Sequence, residues 1–378
     1  MRRKKKGDIG QSIKVLIVIC LLCFIIFFLS PPIPTTLTHF SKRAIWISYI
    51  EMEDLSYDSL TSFKKSYNQI LEKVKKYEIN TVIVHVRAFS DALYNSTVYP
   101  FSSYMSGHES LSFDPLEEMV KMTHDEGLKF EAWINPYRIS FNSDTLKQFK
   151  KSRYASWLDS DDTIHCGDNK YILNPASEKA RKLIVNGVKE IVQNYEVDGI
   201  HFDDYFYIEG SYKDTTEKTR KENVNLLVKD VYQTIKTINP DVTFGISPQG
   251  NYENCMSHGA DVDTWLKSEG YIDYLMPQIY WSNDYDGTKL FSKRAKLFAS
   301  LKRNHNVSLY AGLALYNAGK NSGKDKGWSK SSDNISKQVD ILANYGYRGY
   351  SLFSYSSLFD SDGIKEMNAL LQEHKEQN

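Results

Sequence analysis

From about Ser41 onward the chain repeats one rhythm: a short apolar run, then a stretch whose apolar positions fall three and four apart. The strand-like runs are Arg43–Tyr49, Thr81–Arg87, Lys129–Asn135, Gly199–Asp203, Val242–Ser247, Ile272–Gln278, Ser308–Leu313 and Gly349–Ser354. The first helical stretch, near Ser59 to Tyr77, puts Leu60, Phe63, Tyr67, Ile70, Leu71 and Val74 on one face. The second opens with Asp114 as N-cap and Pro115 at the first position, and stops at Gly127. Further helices are predicted near 177–195, 222–238, 263–268, 290–302, 335–345 and 364–374. Five of the set exit through similar words: Tyr77-Glu78, Glu126-Gly127, Tyr195-Glu196, Glu269-Gly270 and Tyr345-Gly346. Strand and helix alternating in this way predict an α/β fold, a closed (β/α)8 TIM barrel over 41–378. The rival, an open doubly wound sheet, would carry a Gly-rich nucleotide loop after its first strand, and none is there.

Ahead of the barrel the pattern changes. Met1-Arg-Arg-Lys-Lys-Lys6 is a basic head, and Ile13 to Leu29 is apolar but for Lys14. That run is at the short end of what spans a bilayer. No small-x-small cleavage site follows it, and Pro31-Pro-Ile-Pro34 reads as a stiff spacer. The expected organisation is a cytoplasmic tail (1–12), a transmembrane signal-anchor (13–29), a Pro-rich linker (30–40) and a barrel outside the cytoplasm. The membrane is thus one expected partner. The alternative is a cleaved signal and a secreted barrel. Cys20 and Cys23 fall in the anchor, while Cys166 and Cys255 either pair or stay free, and their spacing is not that of a zinc site.

Charge removes one class of partner. Lys plus Arg and Asp plus Glu number 47 each, so the chain is neutral and has no footprint for nucleic acid. The 26 Tyr, 18 Phe and 6 Trp are enough to fill a core and still leave rings for stacking on sugar faces.

Barrel chemistry gathers at the C-terminal ends of strands, and polar residues crowd there. The candidate substrate-binding residues are Tyr49 and Glu51 after the first strand, His85, Arg87 and Asp91 at the second, and Asn135, Tyr137 and Arg138 at the third. His201 and Tyr205 belong to the fourth, Ser247 and Gln249 to the fifth, Gln278, Tyr280 and Trp281 to the sixth, and Tyr355 to the eighth. So many hydrogen-bonding groups beside aromatic rings suit a polysaccharide. The catalytic candidates are Asp203 and Asp204. Adjacent carboxyls tend to push their pKa values apart, and glycoside hydrolysis needs one protonated and one ionised. Glu51, Asp91 and Asp284 are candidates for an acid from another strand. Two mechanisms fit: a carboxyl pair drawn from two strands, or attack by the substrate's own N-acetyl group with Asp203 and Asp204 dividing the remaining work. His85 and His201 with Asp203 suggest a metal, but the tight His-x-His cluster of a barrel metallohydrolase is missing, so no metal and no cofactor are expected. A P-loop, a Gly-x-Ser-x-Gly elbow and a Cys-His arrangement are also missing. The competing functions are a non-catalytic glycan binder and a metal-dependent polysaccharide deacetylase.

At these same positions the chain resembles the glycosyl-hydrolase-like 10 family of bacterial envelope proteins. The matching words are Arg43-Ala-Ile-Trp-Ile-Ser-Tyr49, Asn80 to Tyr94, Phe113-Asp-Pro-Leu116 and Glu131-Ala-Trp-Ile-Asn-Pro-Tyr-Arg138. They continue with Val197-Asp-Gly-Ile-His-Phe-Asp-Asp-Tyr-Phe-Tyr207, Phe244-Gly-Ile-Ser-Pro-Gln-Gly250 and Ile272 to Trp281. The resemblance implies a barrel fold and a cell-envelope hydrolase, with peptidoglycan glycan strands as the leading substrate. Asp203 and Asp204 stand in the family's Asp-Asp-Tyr word. Two departures bear on substrate choice: the short segment Asn251 to Asp263, and Thr219-Arg-Lys-Glu-Asn-Val-Asn225 in place of a basic-aromatic word.

Overall fold

The repeated rhythm closes on itself. A computed structural model describes residue 37 and residues 40–105, 110–213 and 215–374. Its first strands, β1 (Lys42–Ile47), β2 (Thr81–Arg87) and β3 (Lys129–Ile134), lie side by side and parallel. An antiparallel insertion follows, made of β4 (Arg138–Ser140), β5 (Thr163–Gly167) and β6 (Lys170–Leu173) in the order β4-β6-β5. The parallel sheet then resumes with β7 (Gly199–Phe202), β8 (Thr243–Ile246), β9 (Tyr274–Leu275), β10 (Ser308–Leu309), β11 (Ala311–Leu313) and β12 (Gly349–Leu352). Only Tyr310 separates β10 from β11. β10 pairs with β9, β11 with β12, and β12 with β1. Counted as one strand, the two pieces make eight and complete the ring, and a bridge from Gln278 to Gly312 ties the same seam.

The repeated exit words have a backbone cause. Glu78, Gly127, Gly270 and Gly346 all adopt positive φ, between 55° and 86°, turning the chain from helix end to strand start. The word at Tyr195 differs, because there the helix runs out into extended backbone. Asp114 caps Pro115–Asp125 as expected, its carboxylate accepting from the amides of Leu116 and Glu117.

Inside the ring the side chains form two tiers below the mouth. At the base Lys42 and Glu131 form a buried ion pair, with the ammonium 3.8 Å from the centre of the Tyr274 ring. Gly245 makes room for that ring, since a Cβ there would fall 1.9 Å from it. The Tyr274 hydroxyl donates to Glu131 Oε2 at 2.6 Å and lies 2.7 Å from His201 Nδ1. Trp46 Nε1, which can only donate, sits 3.2 Å from His201 Nε2. His201 therefore carries its proton on Nδ1 and gives it to Tyr274. Burial, reinforced by the Lys42 charge, holds its pKa well below the usual value, in keeping with a neutral ring.

Several sequence expectations need correction. The insertion β4–β6 and the helices Ser143–Lys151 and Tyr252–Ser257 were not foreseen, being short. The helix expected from 222 begins at Glu217, where Thr216 accepts from the Thr219 amide. The sixth strand shrinks to Tyr274–Leu275, just ahead of Pro277, which has no N–H to extend a ladder. Cys166 and Cys255 are both free. The tail 1–12, the anchor 13–29 and nearly all of the linker 30–40 lie outside the described residues. Among those described, no helix is long and apolar enough to cross a membrane.

Removing one partner of a buried ion pair strands the other. Lys42→Met is expected to cost about 3 kcal/mol or more, and Lys42→Met with Glu131→Gln distinctly less. Urea denaturation of the three chains checks this, and a double variant no more stable than the single would contradict it.

Candidate active site

A cavity of about 350 Å³ opens at the C-terminal ends of the barrel strands, within the usual range for small-ligand sites. A hollow of similar size between Glu178–Asn194 and Glu217–Ile238 collects no strand ends. The cavity has an aromatic side and a polar side. Phe353 makes ring contacts with Trp46, Trp133 and Tyr280 at centroid distances of 6.1, 6.5 and 6.0 Å. Tyr49 and the exposed Ile50 extend this surface at the mouth. Facing it are Asp203, Asp204, Arg138, Ser247 and Gln278.

Asp203 follows β7 and is buried. Its Oδ2 accepts from Trp133 Nε1 at 3.0 Å and from Asn135 Nδ2 at 3.0 Å, and Oδ1 accepts from the same Asn135 amide and from the Tyr205 backbone. His85 stacks flat on Trp133 at 3.7 Å, holding the indole in place. Burial pushes the Asp203 carboxyl up to about 6, with the Arg138 charge pulling down and Asp204 pushing up. Asp204 is half-buried on the cavity wall, and Gln278 Nε2 donates to it at 3.3 Å. Burial raises its pKa too, opposed by hydrogen bonds from Gln278 and Gln249. A proton on Asp203 would point at groups that only donate, whereas Asp204 faces open space.

Of the residues singled out in the sequence, Tyr49, His85, Arg138, Asp203, Asp204, Tyr205, Ser247, Gln278 and Tyr280 line the cavity. Asn135 and His201 stand behind it, one holding Asp203, the other holding Trp46 and lying 3.0 Å from the Ser247 hydroxyl. Gln249 backs Asp204 and contacts His258. The remainder do not reach the cavity. Glu51 accepts from the Ser48 and Ser356 amides and the Ser354 hydroxyl. Arg87 Nη2 donates to the carbonyls of Asn135 and Pro136. Asp91 accepts from the Phe89 amide in a buried turn. Tyr137 packs in the core against Phe206, Tyr355 meets Phe359 edge-on, and Trp281 lies beside Arg294. Asp284 is ion-paired with Lys330 away from the cavity. Trp46, Ser48, Ile50, Trp133 and Phe353 line the cavity but were not picked out. Strand alternation held the signal for two of them, since Trp46 and Trp133 precede Ser48 and Asn135 by two residues and so share their face.

The raised Asp203 value has a consequence for stability. The folded chain holds this proton more tightly than the unfolded chain does. Its contribution is therefore full below the ordinary value of 3.8 and lost as pH climbs through about 6. The change amounts to at most ~3 kcal/mol. Thermal melts between pH 3.5 and 7.5 should show a decline in the wild type that is shallower in Asp203→Asn, where only the other raised carboxyls, Asp204, Asp91 and Glu366, contribute, and parallel curves for the two chains would count against it.

Comparison with known proteins agrees with this architecture. The chain is 33% identical over 368 residues to Glycosyl hydrolase YngK of Bacillus subtilis, covering 86% of this chain and 70% of that one. It is 30% identical over 365 residues to Glycosyl hydrolase DigH of Escherichia coli, covering 82% of each. Among solved structures, alpha-L-fucosidase isoenzyme 2 from Paenibacillus thiaminolyticus superposes with a TM-score of 0.53 at 15% identity. That match covers 88% of this chain but 49% of the fucosidase, a likeness of fold alone. Residues 41–330 match the glycosyl hydrolase-like 10 family, which takes in every strand of the barrel but the last, and the chain belongs to that family.

Proposed function

We propose that this chain is a glycoside hydrolase that cleaves an N-acetylated cell-wall glycan outside the cytoplasm, tethered to the membrane by Ile13 to Leu29. One observation carries the mechanism: among the described residues, Asp203 and Asp204 are the only carboxyls that line the cavity. Glu51, Asp91 and Asp284, the candidates for an acid from another strand, are engaged elsewhere. A neighbouring pair with no third carboxyl favours substrate-assisted hydrolysis over two carboxyls acting from opposite faces of the sugar.

In this reading the aromatic side receives the apolar face of the sugar. Asp203, ionised, accepts the acetamide N–H and turns its carbonyl oxygen toward the anomeric carbon. That oxygen bonds to the carbon as the glycosidic C–O bond breaks, and Asp204 gives its proton to the leaving oxygen. Water then adds to the anomeric carbon, Asp204 takes a proton from it, and the acetamide is released unchanged. The names of the relatives support the hydrolase class. The glycan itself rests on the family resemblance and on the match between an adjacent carboxyl pair and an N-acetyl group.

The test uses the full chain with N-acetylated cell-wall glycan strands and measures new reducing ends. Asp203→Asn and Asp204→Asn should each lose 100-fold or more, within the usual range for acid–base and orienting groups. A thiazoline analogue of the N-acetyl sugar should inhibit competitively. The low-pH limb of kcat/KM should fall as pH drops through about 6, where Asp203 takes up a proton and no longer accepts the acetamide N–H. Cleavage that ignores the thiazoline would sink the substrate-assisted step, and binding without cleavage would make the chain a glycan-binding module.

A further inference from the structure

One side chain in the cavity wall is polar, buried and unmet. His85 lines the cavity and is 1% exposed, yet among the described residues neither ring nitrogen completes a hydrogen bond. The backbone of Arg87 stands near the ring, outside ordinary hydrogen-bond geometry. His201, inside the same barrel, shows the settled alternative, with one nitrogen on Tyr274 and the other on Trp46.

The His85 ring is not free to turn and find partners. Sheet register sets His85 opposite Trp133. One face lies flat on the indole at 3.7 Å, and Tyr49 packs against the ring at a steep angle, 5.5 Å between centres. The ring is also kept uncharged, because burial and the nearby charges of Arg138 and Arg87 oppose protonation. A neutral imidazole carries one donor and one acceptor. A ligand that displaces water from it must bring a partner, or a buried polar atom is left unpaired at a cost. A hydroxyl suits this position whichever nitrogen faces it, since it both donates and accepts. The acetamide of an N-acetylated sugar has both kinds of group too. In the reading above, however, its N–H is committed to Asp203 and its carbonyl oxygen to the anomeric carbon.

We infer that His85 is a specificity-determining residue whose imidazole edge takes one hydroxyl of the bound sugar, so that a sugar lacking that hydroxyl is rejected. This rests on the hydrolase reading for the sugar and adds to it a single, named contact. Sites of this kind discriminate strongly, because the analogue without the hydroxyl strands the buried nitrogen.

The probe is an N-acetylhexosamine disaccharide joined through sulfur, which resists cleavage, together with forms that each lack one hydroxyl. Calorimetric titration of the full chain gives a Kd for each. In the wild type at least one deoxy form should bind about tenfold or more weakly than the parent. His85→Phe keeps a flat ring on Trp133 but has no polar atom. In that variant the same penalty should fall to near one, while the penalties for the other hydroxyls stay. His85→Gln, which keeps a donor and an acceptor, should lie between. A general disturbance of the site weakens every form alike and leaves these ratios as they were. The two variants are independent, so one that does not fold leaves the other to decide. A wild type that binds parent and deoxy forms equally, or binds none of them, overturns the inference. Penalties that all survive replacement of His85 do the same. Cleavage of the oxygen-linked disaccharide is measured separately: a His85-dependent ratio without cleavage fails the hydrolase reading and leaves the hydroxyl contact standing.

Discussion

The mouth of this barrel depends on holding one carboxylate, Asp203, out of water with only neutral donors touching it. Burying an ionised carboxylate costs several kcal/mol unless every oxygen is met. Here it is met from β3, whose Trp133 and Asn135 share a face and reach across to the end of β7. That reach requires the observed register, Trp133 opposite His201 and Ile134 opposite Phe202. A slip of one residue would turn both donors outward. Flat stacking of His85 on the indole and the grip of Arg87 on the Asn135 carbonyl enforce the same arrangement from β2.

Beneath this layer the interior is polar as well, and its central groups form one chain. His201 takes the indole N–H of Trp46 and passes its own proton down to Tyr274 and Glu131, which Lys42 neutralises. A neutral histidine under the aromatic surface keeps positive charge away from the acid pair. The cavity's charge is therefore set by Asp203, Asp204 and Arg138 alone among its described lining residues. A site with an aromatic side and a polar side divides a sugar as its own chemistry does, apolar on the ring face and polar at the hydroxyl edges.

The barrel was legible in the sequence because its cause is local. Period-two runs, period-three-and-four stretches and recurring exit words each state one βα unit, and four of the five words conceal the same left-handed turn. Strand ends also pointed to the right end of the barrel. What they could not give was direction. Glu51 looked like a ligand for substrate, but Ser48-Tyr-Ile-Glu51 is a Ser-x-x-Glu capping word, and its carboxylate turns back onto the Ser48 amide. Tyr137 and Arg138 are neighbours in one motif, yet one enters the core and the other the cavity. The choice is made by β4, which pairs Arg138 with Ile172, a contact thirty-odd residues away. Phe353 fell inside the predicted eighth run but was not singled out, and it comes after the last ladder residue of β12.

That insertion went unforeseen, and among the described lining residues it carries the site's one cation. The barrel strands supply the acid pair, the aromatic surface and the neutral interior, all braced by sheet register. Arg138 stands instead at the first residue of a three-stranded flap, tied back through the Asn135 side chain and through the Leu173 amide, which donates to the Tyr137 carbonyl. Changes in the flap can therefore move or remove the charge while leaving the carboxyls in place, although their pKa values, which that charge pulls down, would rise. Changes at Asn135, just after β3, act on both. The fold thus places the acid pair on the rigid ring and the guanidinium on the attachment. Asn135 is the point where the two remain coupled.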